Sequence, residues 1–189
     1  MPHPLAQFSP SRRKAYFIPF LTFTILLMLV MNFAGRPLYT TAAPSGIISF
    51  EFAFSPGKAQ VMLDSWDSPA RMRASFIQGL DFLFPPVYST TVALGCLMAA
   101  SVLRTRSLSM AAWGGWLAWG QWLAALFDYT ENIGLVLILF GVVRSPLPEI
   151  AGICAALKFA LLLIGIVYAS YGLAARVLRK SIGDDHPIE

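Results

Sequence analysis

Charged residues are scarce in this sequence. Of its 189 residues only 13% are Asp, Glu, Lys or Arg, which is about half of the roughly 25% that is usual in soluble domains. Hydrophobic residues make up 57%, and the mean hydropathy is +0.64. A chain of this composition has too few polar side chains to cover a water-exposed surface. An ordinary soluble protein is therefore excluded, and an integral membrane protein is indicated.

Histidine and cysteine are also scarce. The two histidines, His3 and His186, lie near the chain ends, so we predict no haem or metal site within the membrane and no cofactor. Cys96 and Cys154 fall at opposite depths of the predicted bundle, about 20 Å apart at the helical rise per residue. A disulfide needs Cα atoms within about 7 Å, so two free thiols are predicted and thiol–disulfide redox chemistry is excluded.

Long apolar runs, in contrast, are plentiful. They cover about residues 15–33, 76–103, 111–142 and 149–178. Each is close to or above the length of about 20 helical residues that spans a bilayer core. The sequence therefore predicts an all-α fold, a four-helix transmembrane bundle. One membrane domain would cover 15–180, with a polar, disordered tail at 1–14 and a second tail at 181–189.

The first run also has features of a cleaved secretory signal peptide. Arg12, Arg13 and Lys14 precede it, and small residues follow at 41–43. The apolar core of a signal peptide is typically about 7–15 residues long, which is shorter than this run. A retained membrane span is therefore the preferred interpretation.

One long loop, 34–75, separates the first two runs. We expect it to lie on the outer face of the membrane and partly cap the bundle, through an apolar segment at 47–54 and a short amphipathic helix at 56–66. A further helix is predicted to begin with Ser68 as its cap. The second run contains Pro85 and Pro86, and prolines within a span predict a kink.

Basic residues are distributed unequally between the two ends of the predicted bundle. The end that holds both tails and the loop after the second span has eight of the fourteen Lys and Arg residues, and the opposite end has five. This bias predicts a multi-pass protein of the cell inner (plasma) membrane with both termini cytoplasmic. The net charge of +4 does not indicate nucleic-acid binding, because the basic residues flank apolar runs and form no stripe.

Polar residues inside the apolar runs recur at similar depths. Asp128, Glu131 and Asn132 share one face of the third span, because they are spaced by three and four residues. Lys158 in the fourth span falls at nearly the same depth as Glu131 and Asn132, whereas Asp81 lies nearer the outer edge and Asp128 lies deeper. Charged groups inside a membrane are costly unless they face one another or a water-filled cavity. We therefore predict one cluster in the outer half of the bundle, with Lys158 as its shared cation.

This polar cluster has a functional and a structural interpretation. Three acids and one lysine cannot all stay ionised in a dry site, so at least one neutral carboxyl is expected at neutral pH. In the functional interpretation the cluster performs acid–base chemistry in a pocket for a small lipophilic molecule. Its catalytic candidates are Asp81, Asp128, Glu131 and Lys158. Its ligand-binding candidates are Asn132, Glu51, Tyr88, Tyr129 and Trp122. In the structural interpretation the same groups tie three helices together.

Three further patterns concern the loop acid and the third span. Glu51 lies between two phenylalanines in the long loop, and an acid in such apolar surroundings needs a partner, unless it is solvated. Arg71, Arg73 and Lys158 are its candidate partners.

In the third span Trp122 could line the bottom of a pocket, although packing is the commoner role of such a residue. Small residues in the same span, Gly114, Gly115 and Gly120, predict close helix approach.

Several motifs together resemble a family of small bacterial four-span integral membrane proteins. They are Gly46-Ile47-Ile48-Ser49-Phe50-Glu51, Trp66, Asp81-Phe82-Leu83-Phe84-Pro85, Asp128 with Glu131-Asn132, and Leu157-Lys158. The resemblance covers most of residues 30–170. It implies that Glu51 belongs with the membrane acids, and it brings no activity to transfer because the family is uncharacterised.

Three functions remain open at this point. Binding of a lipophilic molecule, with or without catalysis, is preferred because the polar layer combines carboxyls with apolar surroundings. A non-catalytic accessory or assembly subunit is the second. Proton-linked transport is the third, and four spans could support it only in a homo-oligomer. The expected partners are therefore the lipid bilayer, a lipophilic small molecule and further copies of the chain.

Overall fold

The computed structural model describes residues 2–104 and 108–184, with side chains over 2–104 and 109–178. All regular structure in these residues is helical, which confirms the all-α prediction. The helices are α1 (Pro10–Ala34), α2 (Ile47–Glu51), α3 (Pro56–Asp64), α4 (Ser68–Asp81), α5 (Phe84–Leu103), α6 (Leu108–Leu139) and α7 (Leu147–Asp184). The side chains of Arg106, Arg179 and Lys180, which contributed to the predicted topology, and the tail residues 185–189 lie outside this description.

Four helices are long and apolar enough to cross a membrane, as predicted. They are α1, α5, α6 from Ser109 and α7 as far as Leu178. The helices α5, α6 and α7 pack closely against one another, and α1 packs mainly on α5. Much of α1 faces outward, since Thr24, Leu27 and Ala34 are its buried residues. An outward apolar face of this kind suits a lipid environment.

Glycine allows two of the helix contacts to be very close. A Cβ atom at Gly172 on α7 would lie 2.2 Å from the Cβ of Ala99 on α5. A Cβ at Gly114 on α6 would lie 2.5 Å from the Cβ of Ala100. The prediction of close approach is therefore right for Gly114. It is wrong for Gly115, because an added Cβ there would have no atom of another helix within 4 Å. It is also wrong for Gly120, where the nearest such atom would lie 3.7 Å from the Cβ, which is an ordinary contact.

The long loop folds into α2, α3 and α4, which lie across one end of the bundle. We call this the capped end, and the opposite end, where α1 begins and α7 ends, the tail end. Phe50 and Trp66 of the loop and Ile77 of α4 pack with Leu135 and Ile138 of α6 in one buried core. The predicted amphipathic helix is α3. The first residue of α4 is Ser68, and its cap is Asp67, whose side chain accepts from the amide of Ala70 at 2.8 Å.

The predicted second span is two helices in the structure. α4 ends at Asp81 and α5 begins at Phe84. Pro85 and Pro86 occupy the first turn of α5. A missing amide hydrogen costs little there, because amides of the first turn have no carbonyl acceptor within the helix. The prolines therefore begin a helix and do not kink one. As a result Asp81 lies at the end of an amphipathic helix, outside the spanning segment.

The N-terminal residues are folded, contrary to the predicted disordered tail. A 3₁₀ turn at Pro4–Gln7 precedes α1, and the Arg13 guanidinium donates to the carbonyl of Ala6. His3 is 1% exposed and contacts Trp119 and Trp122 edge-on, with ring centroids 4.9 and 4.4 Å away. Burial lowers the pKa of the His3 imidazole. The apolar helix faces near the tail end therefore hold this segment in place.

Candidate functional site

The predicted cluster forms around Lys158 on α7. Its Nζ lies 2.9 Å from Oε2 of Glu131, 3.0 Å from Oδ1 of Asp128 and 3.7 Å from Oε2 of Glu51. Lys158 is only 6% exposed, and its three partners are buried as well. The structure thus brings the acids of α6 and the loop acid to one shared cation, and both Cys96 and Cys154 remain free thiols.

Glu51 reaches the cluster because the short helix α2 ends against α7. Of its three candidate partners, Lys158 is the one within ion-pair distance. Arg71 instead donates from Nε to the carbonyls of Leu63 and Trp66, at 3.0 and 3.1 Å. Burial raises the pKa of Glu51 above its ordinary value, and Lys158 opposes this shift.

A second polar group holds α4 on α6. Asn132 donates from Nδ2 to the backbone carbonyl of Asp81 at 3.2 Å, and its Oδ1 accepts from Nε2 of Gln78 at 2.6 Å. Gln78 is 1% exposed, and sequence reasoning missed it. Gln78 precedes Asp81 by three residues, so both lie on one face of a helix. This spacing could have identified Gln78 as a member of the polar group. The group fixes the end of α4 and with it the position of Asp81.

Replacing Asn132 by leucine should remove both hydrogen bonds. We expect a loss of about 1–3 kcal/mol in the free energy of unfolding, because the Gln78 amide and the Asp81 carbonyl are left buried without partners. Thermal unfolding of the purified protein in detergent measures this. Thr130→Leu is the matched control, since Thr130 is exposed on the same helix and its hydroxyl donates to the backbone carbonyl of Leu126, one turn earlier. Equal stability of the two variants would contradict the assignment.

A cavity of about 380 Å³ adjoins the cluster. Its lining includes the ionisable groups Glu51, Asp81, Tyr88, Asp128 and Lys158, and the polar residues Asn32 and Ser45. Apolar residues of α1, α2 and α7 complete much of the lining, among them Met28, Leu29, Met31, Ile47, Ile48 and Leu162. Several acids predicted for a pocket therefore do face one.

Four predicted site residues do not line this cavity. Glu131 contacts Lys158 but does not itself line the cavity. Asn132 is hydrogen-bonded to Asp81 and so joins α6 to α4. Tyr129 donates its hydroxyl to the carbonyl of Phe82 at 3.2 Å. Trp122 packs against His3 near the tail end. Sequence spacing placed Tyr129 and Trp122 near the acids along α6, but the rotation of the helix directs them elsewhere.

Asp81 differs from the other acids in its surroundings. Burial and the nearby charge of Asp128 raise its pKa to about 7, against the opposing effect of Lys158. No described cation lies within ion-pair distance of Asp81. A carboxyl with this pKa is partly protonated at neutral pH, so it can both give and accept a proton.

Comparisons with known proteins add no family to these observations. No protein-family model, no curated protein and no solved structure matches the chain.

Proposed function

We propose that the protein binds a small lipophilic molecule in the cavity beside Lys158. The supporting observation is that one cavity combines buried carboxyls with an apolar wall. Its volume of about 380 Å³ lies within the range of about 300–1,000 Å³ that small-molecule sites occupy. An ion cluster that served only to join helices would have no need of open space beside its acids.

The proposed location is the outer leaflet of a bacterial inner membrane, with both termini in the cytoplasm. The basic residues support this orientation, because the sequence pattern assigns eight of the fourteen to the end that holds both tails. The capped end then faces outward. The cavity, which lies between the capping helices and the acids of α6, falls in the outer half of the bundle.

Acid–base chemistry on the bound molecule is part of the proposal. Asp81 lines the cavity, and its pKa of about 7 suits a group that exchanges protons at neutral pH. Lys158 would hold the carboxyls of Glu51 and Asp128 in place beside the bound molecule, and Glu131 would act through Lys158. A non-catalytic accessory role is the second candidate, and the three carboxyl contacts of Lys158 favour it.

Filling the cavity separates the two candidates. Ile48→Trp should displace the bound molecule, because Ile48 lines the cavity and tryptophan is larger. Mass spectrometry of the protein released from detergent should then show a lipophilic species on the wild type and little or none on the variant. The matched control is Ile133→Trp, since Ile133 is exposed on α6 and is not among the lining residues. A wild type without a bound species, or equal retention by Ile48→Trp, would favour the accessory role.

A further inference from the structure

We propose that the ligand of the cavity carries a protonated amine, which lies beside Asp81 and the Tyr88 hydroxyl while its apolar body extends along α1 and α2. This inference rests on the proposed function, because it specifies the chemistry of the molecule bound in the same cavity. It is supported by the charges of the lining residues and by one buried hydroxyl that lacks a partner.

The charges around the cavity are unbalanced. Among the described residues that line it, Glu51, Asp81 and Asp128 are acids and Lys158 is the single base. Lys158 already forms ion pairs with Asp128 and with Glu131, which does not line the cavity. A carboxylate or phosphate on the ligand would bring another negative charge and find no free cation. An ammonium group would instead supply the positive charge that the site lacks.

Asp81 is the acid that an incoming cation can use. The other acids of the cluster, Glu51, Asp128 and Glu131, each lie within ion-pair distance of Lys158. Within the described residues Asp81 has no such cation. A buried carboxylate is costly unless it is paired, so an ammonium in the cavity would gain a partner and stabilise the ionised form of Asp81.

Tyr88 offers a second contact in the same cavity. It is 3% exposed, and its hydroxyl lies near the Asp128 carboxyl but forms no hydrogen bond of good geometry within the described residues. Buried polar atoms are normally hydrogen-bonded, so a ligand group is the missing partner. A phenol oxygen accepts an N–H, and a primary ammonium has three N–H donors. The rings of Tyr88 and Phe84, whose centroids are 4.9 Å apart, also offer aromatic faces to a cation.

The apolar wall favours an organic cation over an inorganic one. Leu29 and Ile48 line the cavity and are also exposed on the outer surface of the helices, so the apolar end of the cavity reaches the lipid-facing side. Within the described residues, no group of acids, histidines or cysteines is arranged to hold a metal ion. A small amine on a hydrocarbon body fits both ends of this cavity.

Binding of three probes with the same hydrocarbon chain tests the inference. Octylamine, octanol and octanoate are titrated calorimetrically into the full-length protein in lipid nanodiscs. We expect octylamine to bind at least about tenfold more tightly than octanol, which corresponds to about 1.4 kcal/mol, and octanoate to bind most weakly. Asp81→Asn should remove most of the preference for the amine. Tyr88→Phe should lower amine affinity about threefold, in line with loss of one hydrogen bond.

The affinity for octylamine should rise with pH. The pKa of Asp81 is about 7, so below this pH the Asp81 carboxyl is mostly neutral and offers no counter-charge. The amine stays protonated over the same range, as lysine does with a pKa of about 10.4. The affinity should therefore increase about tenfold from about pH 6 to about pH 8. The titratable groups that face Asp81 from the packed helices are Glu51, Tyr88, Asp128 and Lys158. Asp81→Asn should flatten this rise.

The controls separate the two proposals. Asp64→Asn makes the same chemical change at an exposed acid of α3 and should leave all three affinities and the pH profile unchanged. If octanol binds as tightly as octylamine and Ile48→Trp abolishes both, the lipophilic site stands and the amine inference is wrong. A preference for octanoate also overturns the inference. If no probe binds in a manner sensitive to Ile48→Trp, both proposals are wrong.

Discussion

Replacing Lys158 by methionine should destabilise the protein by about 3–5 kcal/mol, because a buried ion cluster loses its cation and keeps its acids. The side chain of Lys158 lies within 4 Å of carboxyl oxygens of Glu51, Asp128 and Glu131. Without the ammonium, these carboxyls must take up protons or remain as unpaired buried charges. Thermal or denaturant-induced unfolding in detergent, followed by circular dichroism, measures the loss.

Two further variants show whether charge is the cause. Adding Asp128→Asn and Glu131→Gln to Lys158→Met should recover much of the stability, since neutral side chains no longer need a cation. Lys58→Met is the matched control. Lys58 is exposed on α3, so its replacement should change stability by no more than about 0.5 kcal/mol. A Lys158→Met protein as stable as the wild type would show that the cluster is not needed for the fold.

Replacing Gly172 by leucine should be comparably damaging. A Cβ at this position would lie 2.2 Å from the Cβ of Ala99 and 2.6 Å from its Cα. The Cα belongs to the backbone of α5 and cannot move without separating the two helices. We expect a loss of about 3 kcal/mol, the upper end of the usual cost of overpacking. Unfolding in detergent measures it.

Gly115→Leu is the control for the glycine prediction. A Cβ at Gly115 would have no atom within 4 Å, apart from its own helix and chain neighbours, so leucine should fit there and change stability little. This variant has the same chemical change in another spanning helix and should behave like the wild type. If both variants lose stability equally, glycine matters for some reason other than the contact between α5 and α7.

The fold followed from the sequence wherever a local property was sufficient. Four apolar runs of membrane-spanning length predicted four spanning helices, and the spacing of Asp128, Glu131 and Asn132 predicted a shared face. The depth of Lys158 along its helix also predicted its meeting with the acids of α6. These predictions needed only the helical rise and turn, which are nearly the same in every helix.

Other features depended on which surfaces met in the folded chain. Pro85 and Pro86 were compatible with a kink or with a new helix, and the packing of α4 on α6 through Asn132 accompanies the second outcome. His3 could not be placed from the sequence because its partners, Trp119 and Trp122, lie more than a hundred residues away. Spacing on α6 likewise could not distinguish Asp128, which faces the cavity, from Tyr129, which bonds to Phe82.

By itself, the sequence determined the class of the protein, its four spans and the presence of a buried acid–lysine cluster. Hydrophobic length and the cost of burying charge are properties of each segment and need no knowledge of its neighbours. Only the tertiary structure decided that Glu51 completes the cluster, that no cation among the described residues lies within ion-pair distance of Asp81, and that a cavity adjoins them. Those outcomes depend on the rotation and separation of helices, which packing between distant residues determines.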